Sequence, residues 1–263
     1  MDSVFKTAKL TAERFGSRVT GIALKPNIVD FIAPDPVVVV LPQPDEPDFD
    51  SEAAGREAFD RMCAENGVSA TPNAHGARFI WRSQPSVDAI SIGAYGRVHD
   101  VTILGRPGVG RNEPRMSTLE AALFESGRPV LMAPPEAPST IGEHILIHWN
   151  ASLESARALT ASLMFLRAAR QVSILEPKTD IELFPPATDL QDYFAEHEVK
   201  ADIVTVNARG KNQGQIAIDE CRRLGCDMIL KGAYTQSRLR QMFFGGATNQ
   251  LIQSSPVPVL FRH

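Results

Sequence analysis

Apolar positions along this chain fall into two alternating periods. Residues 3–15 carry Val4, Ala8, Leu10, Ala12 and Phe15 at near-helical spacing, and Gly16 follows as a stop. Residues 18–24 then read Arg-Val-Thr-Gly-Ile-Ala-Leu, a β-rich run. The alternation continues to the end. Helices are predicted over 51–66, 86–95, 116–125, 153–169, 190–197, 213–224 and 247–253, and strands over 74–81, 100–104, 128–132, 144–149, 172–175, 202–206, 228–231 and 257–261. Strands alternating with helices predict an α/β fold with a parallel sheet and right-handed crossovers. Ser152, with Glu154 in the turn after it, is the expected N-cap of the 153–169 helix. Pro258 breaks the last strand and predicts a sheet edge there, because proline cannot donate to a ladder.

Two stretches interrupt this order. Residues 26–47 hold six prolines and several acids, which predicts a long surface loop. Inside it lies an unbroken aliphatic run, Val37, Val38, Val39, Val40 and Leu41. Residues 134–142 are a second proline-rich stretch and predict a boundary between domains 1–135 and 143–263.

The two halves repeat each other. In the first, Asp100-Val-Thr-Ile-Leu-Gly105 leads through a loop and a helix to Arg128-Pro129-Val130-Leu131-Met132. In the second, Asp227-Met-Ile-Leu-Lys-Gly232 leads through a loop and a helix to Pro256-Val257-Pro258-Val259-Leu260-Phe261. Strand, glycine, loop, helix, small residues and Pro-Val-Leu or Val-Leu recur in the same order, so a tandem duplication is predicted. Residues 130–132 and 257–261 are then candidates to pair within the chain and hide two sheet edges.

Composition narrows the function classes. The chain has 263 residues, 43% hydrophobic and 22% charged, with net charge −4. That is a globular composition, and an acidic balance gives no nucleic-acid surface. No run approaches the roughly 18 apolar residues of a membrane span, and the start carries no signal-peptide pattern. Three cysteines, Cys63, Cys221 and Cys226, are too few for a disulfide framework and fit a reducing cytoplasm as buried apolar residues. His144, His148 and His197 have no metal-site spacing. No nucleophile–base set or Walker pattern stands out, so no catalytic residue is assigned.

The chemistry concentrates between Gly232 and Thr248. A glycine-rich loop running from a strand's carboxyl end to a helix's amino end offers backbone N–H groups and the helix dipole to an anion. Gly232, Gly245 and Gly246 would let the backbone approach a phosphate, and Arg238 could bind two of its oxygens. The plain alternative is a loop that covers the core, with Arg238 and Arg240 in solvent and Phe243 and Phe244 packed beneath.

At these residues the chain resembles the universal stress protein family in its tandem form. Gly232, Thr235, Gly245 and Gly246 stand at the positions of that family's Gly-x2-Gly-x9-Gly-Ser/Thr motif. The second glycine is replaced by Thr235 and the hydroxyl residue by Gly246, with Thr248 close by. Asn150-Ala151-Ser152 stands where the family carries Asp-Gly-Ser, which removes the acid's charge. The resemblance implies two open, Rossmann-like parallel-sheet domains of the adenine nucleotide alpha-hydrolase type. It also implies an ATP site, with Mg where ATP is bound, drawn from Asn150, Ala151, Ser152, Val206, Gly232, Thr235, Arg238, Gly245, Gly246, Ala247 and Thr248. It implies a cytoplasmic, homodimeric stress-response protein without fast catalysis. The alternative is an interaction scaffold that no longer binds nucleotide.

The first half departs further. Gly105 and Gly108 fit the first two glycines, but Thr118 stands at the third, and Pro107 and Pro114 stiffen the loop. Residues 1–3 cannot form the family's central first strand, so either the sequence begins late or the half-domain is repaired in another way. The run 37–41 is a candidate replacement, inserted or added along an edge.

Overall fold

A computed structural model of the chain describes residues 2–23, 51–83, 89–108, 113–180, 182–234 and 246–263. The first half contributes α1 (Asp2–Phe15), β1 (Arg18–Gly21), α2 (Ser51–Glu65), β2 (Arg78–Trp81), α3 (Ala89–Gly96), β3 (Thr102–Leu104), α4 (Met116–Glu125) and β4 (Val130–Met132). The second contributes β5 (His144–His148), α5 (Leu153–Ala161), α6 (Leu163–Ala168), β6 (Gln171–Lys178), α7 (Ala187–Glu196), β7 (Ala201–Asn207), α8 (Gln213–Leu224), β8 (Met228–Gly232), α9 (Ala247–Ser254) and β9 (Val259–Arg262). None of the described helices is long and apolar enough to cross a membrane.

The strands form a seven-stranded sheet in the order β3-β4-β9-β8-β5-β6-β7 and a separate two-stranded sheet, β1-β2. Every pairing is parallel except one. β4 and β9 run antiparallel, with Val130 opposite Phe261, Leu131 opposite Leu260 and Met132 opposite Val259. This joint fuses the halves, as the Pro-Val-Leu segments predicted. It also corrects the expected edge strand: β9 lies between β4 and β8, inside the sheet. Pro258 is compatible with that place because it precedes the strand. It needs only an acceptor there, and its carbonyl takes the Ile229 N–H at 3.0 Å.

Burial follows the same logic. Strands covered on both faces read as continuous apolar runs. Val130–Met132 and the central segment Ile145–Ile147 are fully buried, as are Met228–Gly232. One core cluster joins Leu123, Leu146, Ile229, Leu251 and Phe261 on one face, and another joins Leu131, Ile147, Phe165, Phe194 and Leu230 on the other. Asp227 fixes the start of β5, its carboxylate accepting the N–H groups of Glu143 and His144 at 3.1 and 3.0 Å.

Local chemistry moves several boundaries. The predicted helix over 153–169 is two helices, because Ser162 (φ −109°, ψ 6°) ends α5 and begins α6. α8 ends as glycine allows: Gly225 takes φ 70°, and Cys226 N–H bonds the Cys221 carbonyl at 2.9 Å. The strand predicted over 74–81 is shorter, since the Asn73 side chain accepts from His75 and Ala77 and holds a turn ahead of Arg78. The run 37–41 lies outside the described residues.

Within the second half the order β7-β6-β5-β8-β9 places the first strand, β5, at the centre. The first half supplies the counterparts of the other four, β2-β1 and β3-β4, but among the described residues no strand lies between β1 and β3. Among the described residues the first half's strands are therefore divided between two sheets.

Candidate functional site

In open α/β sheets a ligand crevice forms beyond the carboxyl ends of the strands, where the chain order reverses. Here that point lies between β5 and β8. β5 delivers His148 and the turn Trp149 to Ser152; β8 delivers Lys231 and Gly232.

The turn after β5 is built by its own side chains. Asn150 Oδ1 accepts from Ser152 N–H at 3.4 Å, from Ser152 Oγ at 2.9 Å and from Ser155 Oγ. Ser152 Oγ in turn caps α5, accepting from Ser155 N–H at 3.1 Å. Ala151 sits between them at φ 54°. Trp149 is a core residue, 4% exposed, with its indole N–H on the Pro185 carbonyl at 3.1 Å. Asn150 and Ser152 thus act first as an Asx turn and a helix cap.

Gly232 has an equally local reason to be glycine. A β-carbon there would lie 2.3 Å from Ser155 N and 2.5 Å from the Glu154 carbonyl carbon, so β8 and the first turn of α5 touch backbone to backbone. Gly246 is the opposite case. It is the N-cap of α9 at φ −65°, offers no side-chain cap, and a β-carbon would meet nothing within 4 Å. The first N–H groups of α9 therefore lack a side-chain acceptor at the cap, an arrangement that suits an anion. Ala247 is half-buried and Thr248 buried in that first turn. Val206 lies apart from this crevice. It sits on β7, opposite Pro177 of β6, one strand removed from β5. Thr235, Arg238 and Gly245 lie outside the described residues.

Two residues that sequence reasoning had not placed in the site stand at its floor. His148 and Lys231 are opposite each other across β5 and β8, 1% and 3% exposed. Burial, reinforced by the nearby ammonium, pushes the His148 imidazole well below its ordinary range, and neither ring nitrogen has a hydrogen-bond partner among the described residues. Burial also pulls Lys231 down to about 8, partly opposed by the Glu154 carboxylate. The signal was legible: Lys231 ends an otherwise apolar run, and His148 closes Ile145-Leu146-Ile147. A buried histidine and lysine at the ends of adjacent apolar strands are unusual, since such groups are mostly exposed unless paired.

The arrangement defines an open-sheet α/β domain. Residues 143–262 match the model of the universal stress protein family. The whole fold is similar to a universal stress protein from Archaeoglobus fulgidus DSM 4304, at 12% identity and a TM-score of 0.68, covering 100% of this chain and 92% of that one. A Pseudomonas aeruginosa protein assigned provisionally to the same family is 13% identical over 82% of this chain and 80% of its own, with a TM-score of 0.49. At 12% identity the Archaeoglobus likeness speaks for the fold alone. No curated protein sequence matches the chain.

Proposed function

We propose that the second half binds an adenine nucleotide, with ATP the first candidate, in the crevice between β5 and β8, and that it does so without rapid turnover. The observation that carries this reading is the pairing of a buried cation with an uncapped helix start. Lys231 and His148 form the floor, and Gly246 leaves open space at the amino end of α9. A phosphate accepts hydrogen bonds and carries charge, so it suits both. The polar turn Asn150–Ser152 borders the same crevice and is rigid enough to orient a base or ribose. The protein would then act as a nucleotide-dependent stress-response module in a reducing cytoplasm, with Mg entering with the triphosphate.

A second reading, an interaction scaffold without nucleotide, has its own observation. Asn150 Oδ1 already serves three local donors. Its acceptor capacity is committed before any ligand arrives.

The test is thermal stability of the full chain with and without millimolar ATP. A ligand that binds only the folded state at 100 times its Kd adds about 2.7 kcal/mol. Gly246→Val should remove that gain while changing the ligand-free protein little, because a β-carbon there meets nothing within 4 Å among the described residues. No shift with ATP, together with no heat on titration, would leave the scaffold reading. Release of AMP and pyrophosphate would make the protein an enzyme instead.

A further inference from the structure

The polar atoms around the crevice divide into those already engaged and those that are not. The turn after β5 is engaged. Asn150 Oδ1 accepts from three local donors, one of them Ser155 Oγ. Ser152 Oγ caps α5, and the Trp149 indole N–H is held by the Pro185 carbonyl. A site discriminates between bases when the wrong one leaves its buried polar groups unpaired. These groups are paired with one another, so a wrong base costs them nothing.

The floor is not engaged. Leu146 and Ile229 belong to the core cluster that α8 and α9 cover, while Ile147 and Leu230 belong to the other. His148 and Lys231 lie two residues further along, so strand alternation puts both side chains on the α8–α9 side. They are 1% and 3% exposed, and their neighbours in the same row, Leu175 and Phe261, are apolar. Among the described residues neither His148 ring nitrogen has a partner, and no carboxylate pairs with Lys231; Glu154 acts on it only at a distance. Two helices begin on this same side. A β-carbon on Gly214, the second residue of α8, would lie 2.5 Å from the Ala247 carbonyl oxygen and 3.0 Å from Ala247 Cα, so the two amino ends touch. Asn212 Oδ1 caps α8, accepting from Gly214 and Gln215 N–H at 2.8 and 3.2 Å, whereas Gly246 gives α9 no side-chain cap. Two positive helix ends therefore meet here, one of them uncapped.

We infer that this crevice recognises a phosphate chain and not a base: Lys231, His148 and the first amides of α9 hold the oxyanion, so its ligands are di- and triphosphates, nucleoside or inorganic alike. The ammonium supplies charge, the neutral imidazole one N–H, and the helix start backbone amides, three kinds of donor from different elements. A tetrahedral phosphate has acceptors enough to meet all three, whereas a neutral base brings no charge to a buried ammonium. The inference rests on the nucleotide reading for the place of the ligand and departs from it on which part of the ligand is read.

Calorimetric titration of the full chain with ATP, GTP, inorganic tripolyphosphate and adenosine, at one ionic strength, tests it. ATP, GTP and tripolyphosphate should bind within about tenfold of one another, and adenosine about 100-fold more weakly or not at all. Lys231→Met, apolar and of similar length, should weaken all three phosphates by about 10- to 100-fold. Binding of ATP without GTP or tripolyphosphate would overturn this inference and leave the nucleotide reading standing. Binding of tripolyphosphate alone would support it and remove the nucleotide reading, and binding of none of the four would remove both. Unchanged phosphate affinity in Lys231→Met would also overturn it, since the anion would then sit elsewhere. If that variant fails to fold, the order of ligands on the unmodified protein decides the matter.

Discussion

The contact between Gly232 and α5 yields a quantitative prediction. Replacing Gly232 by alanine adds one carbon, which would sit 2.3 Å from Ser155 N, 2.5 Å from the Glu154 carbonyl carbon and 2.8 Å from Ser155 Cα. Ordinary contacts between such atoms lie near 3.5 Å or beyond, so the first turn of α5 must retreat by about 1 Å. All three atoms are backbone, and no side chain can swing away. α5 packs on both β8 and β9, so the retreat opens a gap along two central strands. A gap of that size forfeits up to half of the dispersion energy of the contacts it separates. Overpacking a well-filled core costs about 1–3 kcal/mol, and the absence of any flexible neighbour puts Gly232→Ala at the upper end, about 3 kcal/mol. In a chain of this size that lowers the melting temperature by roughly 6–12 °C. Gly246→Ala is the control, since its β-carbon meets open space; loss of a glycine cap there should cost at most about 1 kcal/mol. Thermal and urea unfolding of both variants would check the pair. If Gly232→Ala unfolds with Gly246→Ala, the tight helix–strand approach is wrong. If the difference holds, lost nucleotide binding in a Gly232 variant reports on packing first.

The floor of the crevice makes stability depend on pH. The folded-state pKa of Lys231 lies near 8, below its unfolded value of about 10.5, so the unfolded chain binds more protons between these values and stability rises with pH across that window. Lys231→Met should therefore stabilise the protein at pH 7, by up to roughly 3 kcal/mol, and the advantage should vanish above about pH 10.5, as unfolding curves across pH would show. His148 acts at the other end. Its folded pKa is depressed, so stability falls as pH drops through the ordinary histidine value, and a His148→Leu variant should flatten that slope. Arg14 joins α1 to the second half, reaching the Glu143 carboxylate and the carbonyls of Gly142 and Ala168. Arg14→Ala should cost about 1–3 kcal/mol and speed proteolysis or exchange in α1 before the second half opens.

The fold was legible because both periods were strong and the duplication showed which elements correspond. Repeated Pro-Val-Leu segments even indicated the β4–β9 joint. Pro258 misled because a proline one residue before a strand and one inside it look alike in sequence, and only the first leaves a central position available. The break at Ser162 was hidden by an apolar spacing that continues through it. In the site, the glycines were visible but their reasons were not. Gly232 answers to α5, eighty residues away in sequence, and no local pattern reports such a contact. Lys231 and His148 were each seen in an apolar run; that they stand opposite one another follows only from the β5–β8 register.

The antiparallel joint between β4 and β9 also has a consequence in time. Val130 waits for Phe261, which is 131 positions later in the chain. At the usual pace of translation, about 5–20 residues per second, β4 emerges from the ribosome roughly 7–26 s before its partner exists. During that interval its fully apolar edge is uncovered. Arg128 and Pro129 at its entry are the kind of residues that discourage a growing edge from recruiting strangers. Residues 259–261 are thus the ones that cover the β4 edge of the earlier half, and their loss would damage the part of the molecule made first.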